Sequence, residues 1–366
     1  MEAEYDFETK FRDQILQCSR CGFCQAHCPV FGATLRPSYN ARGKMLILKE
    51  VIDKKLDLRN EMIETLFQCT DCAGCSKSCP SGVNVPEIIK QVRKDMVNIG
   101  ICHPAFEALN KVLKKHTNIY AEAERKEFNK KKIGRAQYVY FVGCVGYYRE
   151  SEATLASLKL LDRLCVDYTL IDEVCCSGPL EDVGYPINED LVQKNMGLIL
   201  STGAQKVITN CPYCFRTLRD QPQYAALKER GIETIHITQF LKEFDLSVKT
   251  SKKVTYHDSC DLGRHCGIYE EPRDTIRKIA KNFVEMRHHH SEALCCGAGG
   301  GVRGAFPKNS IAMARRRLME AEEVGAEVVL TDCNSCRHNF SNAKLRRHNF
   351  KIYTTAQFIN ELLEAG

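Results

Sequence analysis

Eighteen of the 21 cysteines in this 366-residue chain fall into two kinds of repeated pattern, and no other feature restricts the fold as tightly. Residues 18–29 read CSRCGFCQAHCP and residues 69–80 read CTDCAGCSKSCP. Further on, Cys144, Cys175-Cys176 and Cys211-Pro-Tyr-Cys214 recur as Cys260, Cys295-Cys296 and Cys333-Asn-Ser-Cys336. The count is odd, and the start MEAEYDFETK lacks a basic and then apolar leader. Both facts argue for metal ligation in a reducing cytoplasm rather than a disulfide framework.

The first two segments share the spacing C-x2-C-x2-C-x3-C-P, the run that wraps cubane [4Fe–4S] clusters. Three closely spaced thiolates grip one cluster, and the fourth, held off by the proline, reaches the other. The spacing assigns Cys18, Cys21, Cys24 and Cys79 to one cluster and Cys69, Cys72, Cys75 and Cys28 to the second. Four-thiolate zinc sites usually pair two C-x2-C arms, so two complete runs with trailing prolines disfavour zinc. Helix patterns over Glu8–Leu16, Lys44–Ile52, Met62–Phe67 and Val85–Val97, with few β-branched alternating runs, predict a helical domain over residues 1–110.

Residues 111–135 read as a basic linker with seven lysines and two arginines, either solvated or a docking face for an acidic partner. Beyond it, strands at 137–143, 166–171, 206–210 and 234–238 alternate with helices at 152–164 and 189–201. The order then recurs. Strands are expected at 253–258, 283–286, 327–332 and 350–353, with helices at 275–280 and 309–324. The cysteine offsets are 116, 120 and 122 residues, so the chain carries an internal duplication, 136–250 and 251–366. Alternating elements predict α/β units with mostly parallel sheets, the cysteines following strand ends where such sheets bind ligands. The fold class is thus an α-helical double-[4Fe–4S] domain followed by a duplicated α/β domain. Five thiols per copy exceed what one zinc or one cubane needs, and adjacent cysteines suit an extended multi-iron cluster.

The C-xn-CCG-xm-C-x2-C repeat, fused to the double ferredoxin module, resembles the CCG-domain iron–sulfur oxidoreductases, among them the D-type heterodisulfide reductases. The resemblance covers about residues 10–366 and implies a noncubane [4Fe–4S] cluster in each repeat. Cys144, Cys175, Cys176, Cys211 and Cys214 would hold the first, and Cys260, Cys295, Cys296, Cys333 and Cys336 the second. It further implies reduction of a disulfide, of the coenzyme B–coenzyme M kind, at paired noncubane clusters fed by two cubanes. The alternative it carries is an iron–sulfur relay of a flavin-linked glycolate, lactate or glycerol-3-phosphate dehydrogenase passing electrons to a quinone. Arg36-Pro-Ser-Tyr-Asn-Ala-Arg-Gly-Lys44 resembles a stretch of that flavoprotein-partner branch. The first repeat departs from the pattern: Cys175-Cys176-Ser177-Gly178 reads as CCG with an inserted serine.

A protein electron donor (a flavoprotein or a cytochrome b) and a small anionic thiol or disulfide are the expected partners. The net charge of +6 is too small for a nucleic-acid binder. No apolar run approaches the roughly twenty residues of a spanning helix, so membrane association would come through a partner. Gly299-Gly300-Gly301-Val302-Arg303-Gly304 matches a dinucleotide fingerprint but lacks its preceding strand, and reads as a loop folding over a cluster. His288-His289-His290 reads as a polar loop. Cys165 reads as a core thiol, Cys102 as a structural one without partner spacing, and Cys266 as a spare one. Arg216, Arg219, Arg264, His265, Arg303, Arg337 and His338 lie near the cysteines in sequence. As a set they would make the mouth between the repeats basic.

Overall fold

The computed structural model describes residues 5–128, 134–246 and 248–365. Before Tyr138 the described residues form helices and turns without a strand. Helices Asp6–Leu16, Ala41–Ile52 and Val85–Asn98 pack Phe7, Leu48, Leu66, Ile88 and Val92 into one apolar core. The Phe7 N–H donates to Asp95 Oδ2 at 2.8 Å, closing the first helix onto the third. Gly43 lets Ala41–Ile52 lie on the Pro37–Tyr39 turn, because a Cβ there would stand 2.3 Å from the Pro37 carbonyl.

Two four-stranded parallel sheets follow. The first holds β1 (Tyr138–Phe141), β2 (Tyr168–Thr169), β3 (Lys206–Thr209) and β4 (Glu233–His236) in the order β2-β1-β3-β4. The second holds β5 (Thr250–Tyr256), β6 (Ala280–Phe283), β7 (Val328–Leu330) and β8 (Lys351–Tyr353) in the order β6-β5-β7-β8. The identical winding is the duplication seen in three dimensions. The sheets share a core in which Tyr140, Leu161 and Ile208 meet Tyr256, Ile276 and Phe358. Polar contacts join the halves as well. Asn360 Nδ2 donates to the Ala156 carbonyl at 2.7 Å, and Glu150 pairs with Arg337 and His338.

The expected elements are present, with local differences. The extended segment expected at 283–286 is strand β6 at Ala280–Phe283, and the helix before it, Glu270–Ile279, starts five residues earlier than read. Lys281 and Asn282 are exposed on this edge strand, so it lacks the alternation that marks a half-buried one. A helix over Gly143–Tyr148 follows β1 at once, where none is expected.

The connector is no free linker. It begins inside helix Pro104–His116, Phe128 is buried in the core of the repeats, and Arg125 pairs with Asp172 at 2.5 Å. Residues 129–133 lie outside the described residues. Cys165 is exposed in a left-handed turn after helix Ser151–Arg163, not in a core.

Candidate iron–sulfur centres

Each Cys-x2-Cys pair of the repeats sits at a helix start. Cys211 and Cys333 are the N-caps of helices Pro212–Asp220 and Asn334–Ala343, shortly after β3 ends at Thr209 and β7 at Leu330. Their sulfurs accept the N–H groups of Cys214 at 3.5 Å and Cys336 at 3.4 Å. An N-cap acceptor and the positive end of a helix both favour a thiolate there.

In the first repeat Cys214 Sγ lies 3.7 Å from Cys176 Sγ, and Cys175 lies between Cys144 and Cys176. In the second, Cys296 Sγ lies 3.1 Å from Cys336 Sγ, Cys295 meets Cys260, and the Gly297 N–H donates to Cys295 Sγ at 3.4 Å. Donation from Cys175 and Cys214 holds the Cys176 thiol well below its ordinary range, as Cys295 and Cys336 do for Cys296. The neighbours are driven the other way: crowding by Cys144 and Cys176 pushes Cys175 up, and Cys214, Cys295 and Cys336 follow. Buried thiols packed this closely ionise together only around a positive centre. The donor set therefore fits a multi-iron group. Gly143 adds to the fit, since a Cβ there would stand 3.0 Å from Cys214 Sγ.

Nine of the ten repeat cysteines, all but Cys295, line one cavity of about 480 Å³ between the repeats. Across it the two Cys-x2-Cys elements approach each other, with Asn210 Nδ2 donating to Asn334 Oδ1 at 2.9 Å. Helix Pro104–His116 closes one side with Phe106, Leu109 and Val112. Of the seven basic residues singled out near the cysteines, only Arg303 lines this cavity. Its Nη2 donates to Tyr120 Oη at 3.1 Å, and its buried Nη1 has no partner among the described residues. The other six are committed elsewhere. Arg216 bridges Asp71 and Asp261, Arg219 pairs with Asp220, and Arg337 and His338 hold Glu150. Arg264 binds the Cys72 and Ala293 carbonyls, and His265 the Asp71 carbonyl.

In the ferredoxin-type loops, Cys28, Cys69, Cys72 and Cys75 line one small cavity together with Lys44. Cys28 caps the helix Phe23–His27, and Pro29 then opens the helix Pro29–Thr34, which turns Cys28 away from its own loop. Burial pushes the Cys69 thiol up to about 11 and the fully buried Lys44 ammonium down, with Cys69 and Cys28 opposing the latter shift. Cys18, Cys21 and Cys24 sit together nearer the surface. Cys21 is exposed, its thiol lowered by the Phe23 N–H, while burial raises Cys24 beside it. Ser81 Oγ lies 3.3 Å from Ser19 Oγ, which brings the segment after Cys79 to this loop. Cys72 also faces the second repeat, where it is buried against Cys260 and Cys295.

The serine of the first repeat is a replacement, not an insertion. Ser177 takes a left-handed φ of 69° directly after Cys176, where Gly297 takes 84° directly after Cys296. Ser177 Oγ accepts the Asn188 N–H at 2.6 Å, which compensates the strain. The second repeat has no such room, because a Cβ on Gly297 would stand 2.8 Å from the Ser310 carbonyl and from Met313 Cβ. Gly297→Ala is expected to cost about 2 kcal/mol and lower the thermal midpoint of the anaerobic holoprotein, whereas Ser177→Gly shifts it little.

The glycine run serves close packing: Cβ atoms on Gly299 and Gly300 would stand 2.7 and 2.2 Å from the Thr70 and Cys69 carbonyls. His288 pairs with Glu320 and His290 with Glu270, as a polar loop would. Cys102 packs on Tyr185, and Cys266 packs with Phe215 and Leu262 outside both cavities. Two functional candidates escape the sequence reading. Arg93 is fully buried and donates to the Phe67, Cys69, Asp182 and Gly300 carbonyls at 2.6–3.0 Å. His257 lies buried against Cys296 and Cys336. The strand end before Cys260 is the signal for His257, and nothing local marks Arg93.

Residues 14–83 match the 4Fe-4S dicluster domain, and residues 138–219 and 254–341 each match the cysteine-rich CCG domain. The chain is 30% identical over 362 residues to the D subunit of dihydromethanophenazine:CoB–CoM heterodisulfide reductase from Methanosarcina barkeri, covering 89% of this chain and 88% of that one. It is 28% identical to the B subunit of fumarate reductase (CoM/CoB) from Methanothermobacter marburgensis, covering 87% and 66%. It is 24% identical to EtfAB:quinone oxidoreductase of Syntrophomonas wolfei, covering 90% and 55%. The fold is shared with a hypothetical protein from Helicobacter pylori at a TM-score of 0.59 and 13% identity, covering 98% and 76%. No helix among the described residues is long and apolar enough to cross a membrane.

Proposed function

Because the chain belongs to the D-type heterodisulfide reductase family of iron–sulfur oxidoreductases, a 4Fe-4S dicluster domain joined to two cysteine-rich domains, we propose that it reduces a small anionic disulfide to thiols in the cavity between its repeats. The observation that carries this reading is the meeting of nine repeat cysteines in one enclosure. A pure relay has no need of two such sets facing each other. When bound, iron–sulfur clusters supply single electrons and open iron positions to substrate sulfur. Cys144, Cys175, Cys176, Cys211 and Cys214 would hold one noncubane cluster, and Cys260, Cys295, Cys296, Cys333 and Cys336 the other. Cys28, Cys69, Cys72 and Cys75, and separately Cys18, Cys21, Cys24 and Cys79, would hold two cubanes.

The protein's own groups do the rest. Phe106, Leu109 and Val112 keep water from the sulfurs, and Arg303 offers a free guanidinium N–H to a carboxylate, sulfonate or phosphate at the far end of the substrate. Cys72, against Cys260 and Cys295, joins the ferredoxin loops to the second repeat. A protein donor, part of a larger complex, would dock where Cys21 is exposed beside Phe23, 64% exposed, and Leu35, 74% exposed.

The second reading is an iron–sulfur relay between a flavoprotein and a quinone or other carrier, which the match to EtfAB:quinone oxidoreductase favours. One preparation separates the two. The ligand sets predict about 16 iron per chain in four clusters. Anaerobic protein with that content, given a reduced dye and an anionic disulfide, should release two thiols per disulfide. Full iron, no disulfide consumed, and reduction instead by a flavoprotein would establish the relay. About half the iron, with zinc present, would sink the noncubane sites.

A further inference from the structure

The two repeats differ at one buried ring. His257 stands three residues before Cys260, at the end of β5, and is 1% exposed. At the same place in the first repeat, three residues before Cys144, stands Phe141. His257 Nδ1 accepts the Arg317 Nε–H at 3.1 Å. A guanidinium can only donate, so Nδ1 carries no proton. An imidazole with one accepting nitrogen is neutral, and its single proton resides on the other, Nε2.

Arg317 cannot turn away. Its Nη1 donates to the His288 carbonyl at 2.6 Å and pairs with Glu320. Phe340 stands edge-on to the imidazole at 4.8 Å and fixes its plane.

Nε2 is buried and makes no hydrogen bond among the described residues. The ring stands beside sulfur: one of its nitrogens and the Sγ atoms of Cys296 and Cys336 lie within 4.8 Å of one another. A histidine that ligates a metal donates its second N–H outward, to a carboxylate or carbonyl. Here the outward nitrogen accepts, so the inward one is a donor and has no lone pair for iron.

We propose that His257 is an N–H···S hydrogen-bond donor to the thiolates and cluster of the second repeat, not a ligand, and that it makes this cluster the more easily reduced of the two. A donated hydrogen bond stabilises the extra negative charge of the reduced form. The first repeat has a phenyl ring there and gains nothing. The favoured repeat is also the one whose Cys260 and Cys295 touch Cys72 of the ferredoxin loops. The order of reduction then follows the order of contact, with the second repeat filled first and the first repeat last. This rests on the reading above that both repeats hold clusters.

The test is an EPR-monitored redox titration of anaerobic full-length holoprotein, wild type against His257→Phe and His257→Gln, with iron measured in each. His257→Phe, which copies the first repeat, should keep its iron. It should move the midpoint of one repeat cluster to lower potential and leave the ferredoxin-loop midpoints in place. His257→Gln, which retains an N–H, should recover part of the shift. Pulsed EPR of protein carrying 15N-histidine should show only the weak coupling of a hydrogen-bonded nitrogen. An unmoved midpoint in His257→Phe, the strong coupling of an iron-bound nitrogen, or loss of one cluster's iron from His257→Phe would each overturn the inference. Wild type with iron only in the ferredoxin loops fells the functional reading and this one together. Wild type with the full count and an unmoved His257→Phe fells this one alone.

Discussion

Cys296→Ala protein is expected to lose disulfide reduction while its two ferredoxin-loop EPR signals persist. Cys296 is 2% exposed and central to its set, with Cys336 Sγ at 3.1 Å and Cys295 and His257 as further neighbours. Removing its sulfur breaks the chain of thiols that links Cys260 and Cys295 to the helix-capping pair Cys333 and Cys336. Cys176→Ala does the same in the first repeat, where Cys176 joins Cys175 to Cys214. Loss of a group that organises the reacting site should lower kcat by at least about 10³-fold, roughly 4 kcal/mol of transition-state stabilisation. Dye-driven turnover with an anionic disulfide is the assay. Activity of either variant within tenfold of wild type would remove the repeat clusters from the mechanism. In the relay reading both variants slow electron passage from a flavoprotein, and no disulfide is consumed by any form.

The second large effect is expected from a residue whose sequence neighbours mislead. Cys28→Ser should damage the cluster of the other loop, anchored by Cys69, Cys72 and Cys75, and spare the one anchored by Cys18, Cys21 and Cys24. The Pro29 turn places Cys28 in the cavity with those three thiols and Lys44. An alcohol is a far weaker iron ligand than a thiolate, so up to about four of about 16 irons should be lost, or one iron with conversion to a three-iron form. Mössbauer or EPR signals altered in the surface cluster instead would mean that each loop is self-contained. The two loops stand in different surroundings, one exposed at Cys21 and the other against buried Cys260 and Cys295.

The parts of this architecture written in local spacing are legible in the sequence. Cysteine offsets near 120 residues reveal the duplication, and strand-then-cysteine order marks the ends of the sheets where the thiols gather. Elements whose identity depends on partners far along the chain are not legible. Strand β6 is expected three residues late because an exposed edge strand of Ala280, Lys281, Asn282 and Phe283 carries no alternation of its own. Ser177 reads as an insertion when a motif is matched letter by letter, whereas the backbone keeps the position and only the side chain changes. The connector reads as solvated because its lysines dominate, although Arg125 and Phe128 pin it down. The basic residues near the cysteines look equivalent until their partners are known. Five find carboxylates or carbonyls within the ion-pair web, Arg264 is taken up by carbonyls, and Arg303 keeps a free N–H.

Arg93 bears on how such a protein can be cut and recombined. Its guanidinium is shared among carbonyls of the second ferredoxin loop (Phe67, Cys69), the first repeat (Asp182) and the second repeat (Gly300). Gly184 is left-handed and presses on the Arg93 backbone, where a Cβ would stand 2.7 Å away. A gene severed between residues 98 and 138 would therefore leave Arg93 with only the Phe67 and Cys69 carbonyls in one fragment and the Asp182 and Gly300 carbonyls bare in the other. The two fragments are expected to re-associate when co-expressed, and a transplanted ferredoxin module with an arginine at this position is expected to seat better on these repeats than one without.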